Sequence, residues 1–253
     1  MTRVAFPRSR LSRPRFFTFA AAATGLVLSL LNSCMVPPVN DGSRVGPFFT
    51  ATNHTGDAQL PAGFRRVILL PIAAGSVAPA ESATALDAVF TAELQRQNRF
   101  EVVTLTRADC LQRFQAEEFS SVGTLPADLL KRLQREFAAD GVMFVDLTVF
   151  KAYRPLALGV RAKLATLGDG VRLIWTFDNV YSASDAAVAN SARAHFVESD
   201  RGGVPADLTP SVLQSPSRFA AYVASDMFST LPAIFAAAPL INVKEPAESA
   251  QRR

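Results

Sequence analysis

Along residues 158–166 the even positions are Leu158, Val160, Ala162 and Leu164, with Arg161 and Lys163 between them. Along 171–181 the odd positions Val171, Leu173, Trp175 and Phe177 alternate with Arg172, Thr176 and Asp178. A period of two with one apolar face is met by extended strands in an antiparallel sheet, greasy on one side and wet on the other. Gly168-Asp169-Gly170 between the runs supplies the backbone freedom for a tight hairpin. Residues 142–150 add a strand, with Met143, Val145, Leu147 and Val149 on one face and Asp146 and Thr148 on the other.

The earlier half has a different rhythm. Arg66-Val67-Ile68-Leu69-Leu70-Pro71-Ile72 is an apolar run too short for a helix, which predicts a strand buried on both faces. After Pro79, the residues Leu86, Val89, Phe90 and Leu94 recur at helical spacing and put one stripe on a helix of about 17 residues ending near Asn98. Residues 100–105 follow as a strand, so the three elements predict a right-handed parallel crossover. Thr106 with Asp109 caps a short helix bearing Leu111 and Phe114, and a third helix over about 126–139 carries Leu129, Leu130, Leu133 and Phe137, with Gly141 placed to close it. Ser184 and Asp185 open a helix with Val188, Ala192 and Phe196. Residues 201–216, with two glycines and three prolines, form a loop. Ser215 and Pro216 open a last helix, whose stripe runs from Phe219 through Val223, Met227 and Leu231 to Ile234. The expected fold class is α/β: a mixed sheet of about five strands, with a parallel β-α-β start, an antiparallel three-strand meander and helices packed mainly on one face.

What precedes this domain says where it sits. Five arginines and no acids lead into Phe16-Phe17-Thr18-Phe19, four alanines and an apolar run that breaks at Asn32-Ser33-Cys34. That order predicts a secretory signal peptide, since the apolar run of about 16 residues falls short of the roughly 20 that span a bilayer. Leu31-Asn32-Ser33-Cys34 resembles a bacterial lipobox, with Cys34 the acceptor of a diacylglycerol; Asn32 is more polar than that position usually carries. Several acyl chains, at about 0.8 kcal/mol per buried methylene, give durable anchoring. The competing readings are an ordinary cysteine after an ordinary signal peptide, or an uncleaved anchor. The expected organisation is a signal peptide over 1–33, the lipidated cysteine and a tether over 34–63, one α/β domain over 64–241 and a disordered tail over 242–253.

Removing residues 1–33 takes five of the 26 basic residues and none of the 22 acidic ones, leaving a net charge near −1. The basic balance belongs to the export signal and gives no support for nucleic-acid binding. With Cys34 lipidated, Cys110 stands alone and reads as a small buried apolar residue. The residues show no GxSxG elbow, P-loop, GxGxxG, CxxC or HExxH. His54 lies in the expected tether and His195 on a helix, so no metal, cofactor or catalytic group is expected. Glu117 and Glu118 read as neighbours on a solvated helix face.

Leu69-Leu70-Pro71, the first helix, Ala139-Asp140-Gly141-Val142-Met143-Phe144-Val145 and Gly170-Val171-Arg172-Leu173-Ile174-Trp175 together resemble the periplasmic α/β domain of the curli-secretion (CsgG-like) lipoproteins, over residues 64–236. The same kind of domain recurs in lipoproteins that activate peptidoglycan synthases and in polysaccharide-export accessory lipoproteins. The resemblance implies a binding or assembly role on the periplasmic side of the outer membrane, and Met35 after the cysteine, rather than Asp, is similar to the sorting signal for that membrane. Curli-secretion subunits donate long amphipathic hairpins to a barrel. Here the spare segments 107–125 and 201–216 lack alternating stretches of about 10 residues, so no pore is expected.

Arg161, Lys163, Arg172 and Asp178 are placed on one sheet face with Asp146. One reading is a solvated face laced with weak ion pairs; the sharper one is a face that meets a partner protein or a neighbouring subunit. The expected function is a non-enzymatic, outer-membrane-anchored periplasmic lipoprotein that binds or scaffolds an envelope partner or its own copies. The alternative is an oligomeric subunit of a CsgG-like secretion channel.

Overall fold

This computed structural model describes residues 42–168, 170–199 and 212–235. The expected signal peptide, the lipobox residues Leu31, Asn32, Ser33 and Cys34, most of the expected loop over 201–216 and the tail over 242–253 lie outside the described residues.

The strands are β1 (His54–Gly56), β2 (Arg66–Leu69), β3 (Glu101–Thr104), β4 (Gly141–Lys151), β5 (Ala157–Thr166) and β6 (Leu173–Ser182), in one open sheet ordered β1-β6-β5-β4-β2-β3. β2 pairs parallel with β3 and β4; the remaining neighbours are antiparallel. Besides a single helical turn at Gly42–Val45, the helices among the described residues are α1 (Ala80–Arg96), α2 (Arg107–Phe114), α3 (Leu129–Phe137), α4 (Ala186–Ser199) and α5 (Pro216–Ser229). The mixed α/β class read from the residues is the one observed.

Local chemistry sets the helix ends. The Thr106 hydroxyl accepts from the Asp109 N–H at 3.1 Å while the Asp109 carboxylate accepts from the Thr106 N–H at 3.1 Å, a reciprocal cap on α2. Ser215 caps α5 by accepting from the Arg218 N–H, with Pro216 in the first turn. α3 closes at Ala138, whose φ of 48° is left-handed, rather than at the expected Gly141. Gly141 instead opens β4, where a Cβ would run into the ring of Phe64.

The sheet carries two apolar layers. On one face Leu69, Val145, Val160, Trp175 and Phe177 pack against α1, α4 and α5, with Phe90 edge-on to Phe228 at 6.2 Å. On the other face Ile68, Leu70, Val142, Phe144 and Ala165 lie under α2 and α3, around Cys110, Phe114, Leu129 and Leu133. Three helices thus cover one face, and the two shorter ones cover only the parallel end of the other.

Several expectations change in detail. β1 is a sixth strand within the stretch expected to be a tether. Around it the chain is fastened by Phe49 N–H donating to Ser191 Oγ at 2.8 Å, the Phe49 ring 4.9 Å from that of Tyr181, and the buried Ala51 and Leu60. A bulge at Thr148 turns Val149, expected on the core face, toward the opposite one, where it pairs with Gly159. Another bulge at Ile174 buries that residue and leaves Val171 and Leu173 exposed. α5 stops at Ser229, so Ile234 falls outside its stripe and is exposed.

Candidate partner-binding face

Cross-strand pairing places side chains in rows on the half of the sheet that α2 and α3 leave open. Thr55, Thr176 and Lys163 form one row, leading to the buried Phe144; Asp178, Arg161 and Asp146 form the next; Val180, Gly159 and Val149 form the third. Among the described residues no helix crosses the first part of these rows. A groove of about 260 Å³ runs there, lined by Asn53, Thr55, Arg161, Lys163, Thr176 and Asp178 among others. Its floor is held by local polar pairs: Thr55 and Thr176 share a hydroxyl hydrogen bond of 2.8 Å, and Arg161 pairs with Asp178 through Nε and Nη2, both at 2.8 Å.

Of the expected face residues, Arg161, Lys163 and Asp178 come together and Arg172 does not. Arg172 sits at the hairpin end and pairs with Asp57 at 2.7 Å. Lys163 donates to the backbone carbonyl of Ser121 at 2.9 Å, and the Asp146 carboxylate accepts from the Ser121 N–H at 3.0 Å. These two residues therefore clasp the loop after α2 onto the sheet. Arg161 and Asp178, each about one-third exposed, are the pair left facing the groove.

Sequence reasoning missed a second polar constellation, at the carboxyl end of β2. Arg107, at the start of α2, donates to Asp87 from Nε at 2.8 Å, to Glu118 from Nη1 at 2.7 Å and to the Ile72 carbonyl from Nη2 at 2.7 Å. Glu118 also accepts from the N–H groups of Ala74 and Gly75, and Asp87 from that of Ile72. Glu118 is thus in a loop, not beside Glu117 on a solvated helix face. Burial pushes the Glu118 carboxyl up, but the Gly75 and Ala74 N–H groups and the Arg107 guanidinium outweigh it and hold the group below its ordinary 4.5. At Asp87 burial wins, and the carboxyl is raised despite the same arginine. Every strong donor and acceptor here is used, so the cluster ties β2 to α1 and α2 rather than offering an open site. No spacing rule links positions 87, 107 and 118, which explains why the sequence did not show it.

His54 lies on β1 with its ring stacked 6.4 Å from that of Phe177, and His195 is half-buried beside Phe196. Among the described residues no group of three or more His, Cys, Asp or Glu is arranged to hold a metal ion. Cys110 is fully buried, and burial pushes its thiol up to about 11. Among the described residues no helix is long and apolar enough to cross a membrane.

No family model matches the chain, and no curated protein does. Solved structures do. A PelC dodecamer from Paraburkholderia phytofirmans matches at 15% identity, covering 70% of this chain and 99% of that one, with a TM-score of 0.39. Lipoprotein GNA1162 from Neisseria meningitidis matches at 14% identity, over 55% of this chain and 99% of the other, with a TM-score of 0.36. The LpoB C-terminal domain from Salmonella enterica matches at 15% identity, over 52% and 84%, with a TM-score of 0.32.

Proposed function

We propose that the chain is an outer-membrane-anchored periplasmic lipoprotein with a non-enzymatic binding or scaffold role in envelope assembly or export, and that the open half of its sheet receives an envelope protein. The lipobox, Leu31-Asn32-Ser33-Cys34 after an apolar export signal, supports the location. The observation that carries the binding role is the groove over β1, β5 and β6: a sheet face with Arg161 and Asp178 presented at its centre and Val180 beside them. A charge pair on a sheet, with Thr55, Thr176 and Lys163 on one side and Val180 and Val149 on the other, gives a partner register from the polar groups and some burial from the valines. The runs that a channel subunit would spend on membrane hairpins are here engaged as β5 and β6.

Arg161→Ala with Asp178→Ala tests this. The pair is partly exposed and contributes roughly 0–1 kcal/mol, so the variant folds and melts close to the parent. Cross-linking in intact cells then recovers an envelope protein with the parent chain and markedly less of it with the variant. Equal recovery with both would remove the face from the account.

A further inference from the structure

Residues 47–60 are fastened to the body at successive points. Pro47 O accepts from Asn190 Nδ2 at 3.2 Å, Phe49 is held by Ser191 and Tyr181, β1 pairs with β6, and Leu60 N–H donates to the Ala233 carbonyl at 2.8 Å. The helical turn Gly42–Val45 packs along α4. The chain therefore joins the body by Gly42, and only the seven residues 35–41 separate that turn from Cys34. Seven residues reach at most ~25 Å. β5, with 10 residues, is roughly 33 Å long.

Register fixes the end of the sheet from which the chain reaches β1. His54 pairs with Phe177, so earlier residues run toward Ser182; Ser182 pairs with Ala157, and Ala157 with Lys151. The β4–β5 connection lies at this same end. It carries Tyr153, 84% exposed, between Lys151 and Arg154, also exposed. Toward this end of the sheet Val180 is 52% exposed, and Phe48, next to the Phe49 that packs on Tyr181, is 48% exposed. Asp185 is an exposed acid at this end, and its carboxylate accepts from the Ala187 N–H at the start of α4. Exposed aromatic and aliphatic side chains flanked by cations are the composition that settles at a lipid headgroup layer.

We infer that this end of the sheet, through Phe48 and Tyr153 with Lys151 and Arg154, rests on the headgroups of the bilayer that holds the Cys34 lipid. The inference builds on the lipidation proposed above. With this end on the headgroups, the β5–β6 hairpin, with Val171 at its tip, points away from the bilayer.

The natively lipidated full chain, reconstituted in vesicles of phosphatidylethanolamine and phosphatidylglycerol with a quencher on the acyl chains, tests this. A fluorophore is placed through Tyr153→Cys or, separately, Val171→Cys; Cys110 is buried and does not compete. Quenching is expected to be several-fold stronger at 153 than at 171, and to fall at 153 when Phe48→Ser is added. Equal quenching, stronger quenching at 171, or no change with Phe48→Ser in a chain that stays on the vesicles overturns the docking alone. A chain that floats free of the vesicles overturns the docking and the lipidation together.

Discussion

Arg107 does the work of three contacts, and its neighbours cannot replace it. Replacing it by alanine leaves Asp87 and Glu118 facing each other in a partly buried site without their shared cation, at a cost of roughly 2–4 kcal/mol in urea denaturation. The cluster also sets a pH dependence. A carboxylate held below its unfolded value gives stability that is present above that value and lost as pH falls through the folded one, which is the case of Glu118. Asp87, raised by burial, works in the opposite sense and offsets part of it. Glu118→Gln is therefore expected to lower stability at neutral pH and to flatten the loss that the parent shows below about 4.5. A parallel acid arm in parent and variant would show that Glu118 is not the group responsible.

Among the elements, β4 shows where patterning informs and where it fails. Its first half has both faces covered, so the alternation blurs, and the bulge at Thr148 then exchanges the faces for Val149 onward. The helical stripes, the Thr106 cap and the β5–β6 hairpin were readable because each is encoded within a few residues of itself. β1 was not, because three residues bounded by polar neighbours carry no periodicity; its place comes from pairing with β6, more than 100 residues later. The candidate face was half legible for the same reason: register puts Arg161 across from Asp178, whereas the bulge in β6 and the turn carry Arg172 to Asp57. Gly141 was read as a helix stop and is instead a point of close approach. Gly141→Ala forces its methyl into Phe64 and within 3.0 Å of the Ala165 carbonyl, a predicted loss of about 1–3 kcal/mol. Phe64→Leu in the same chain is expected to return part of it, and a double variant no more stable than Gly141→Ala would mean that the strain lies at the backbone contact.

For the molecule as a whole, the segment before β2 is part of the folded body and shortens the link to the proposed anchor. A chain begun at residue 58 loses β1 and the Phe49 ring, uncovering Tyr181 and Phe177, with an expected destabilisation of about 3–5 kcal/mol and binding of an apolar dye. An unchanged melting curve would return residues 47–57 to the role of a loose tether. The larger claim is that Cys34 carries lipid, because location, orientation and the choice of partners follow from it. Feeding cells a clickable palmitate and isolating the full chain tests it most directly. The account predicts label on the parent chain and none on Cys34→Ala; label absent from the parent, or equal on both, would contradict it.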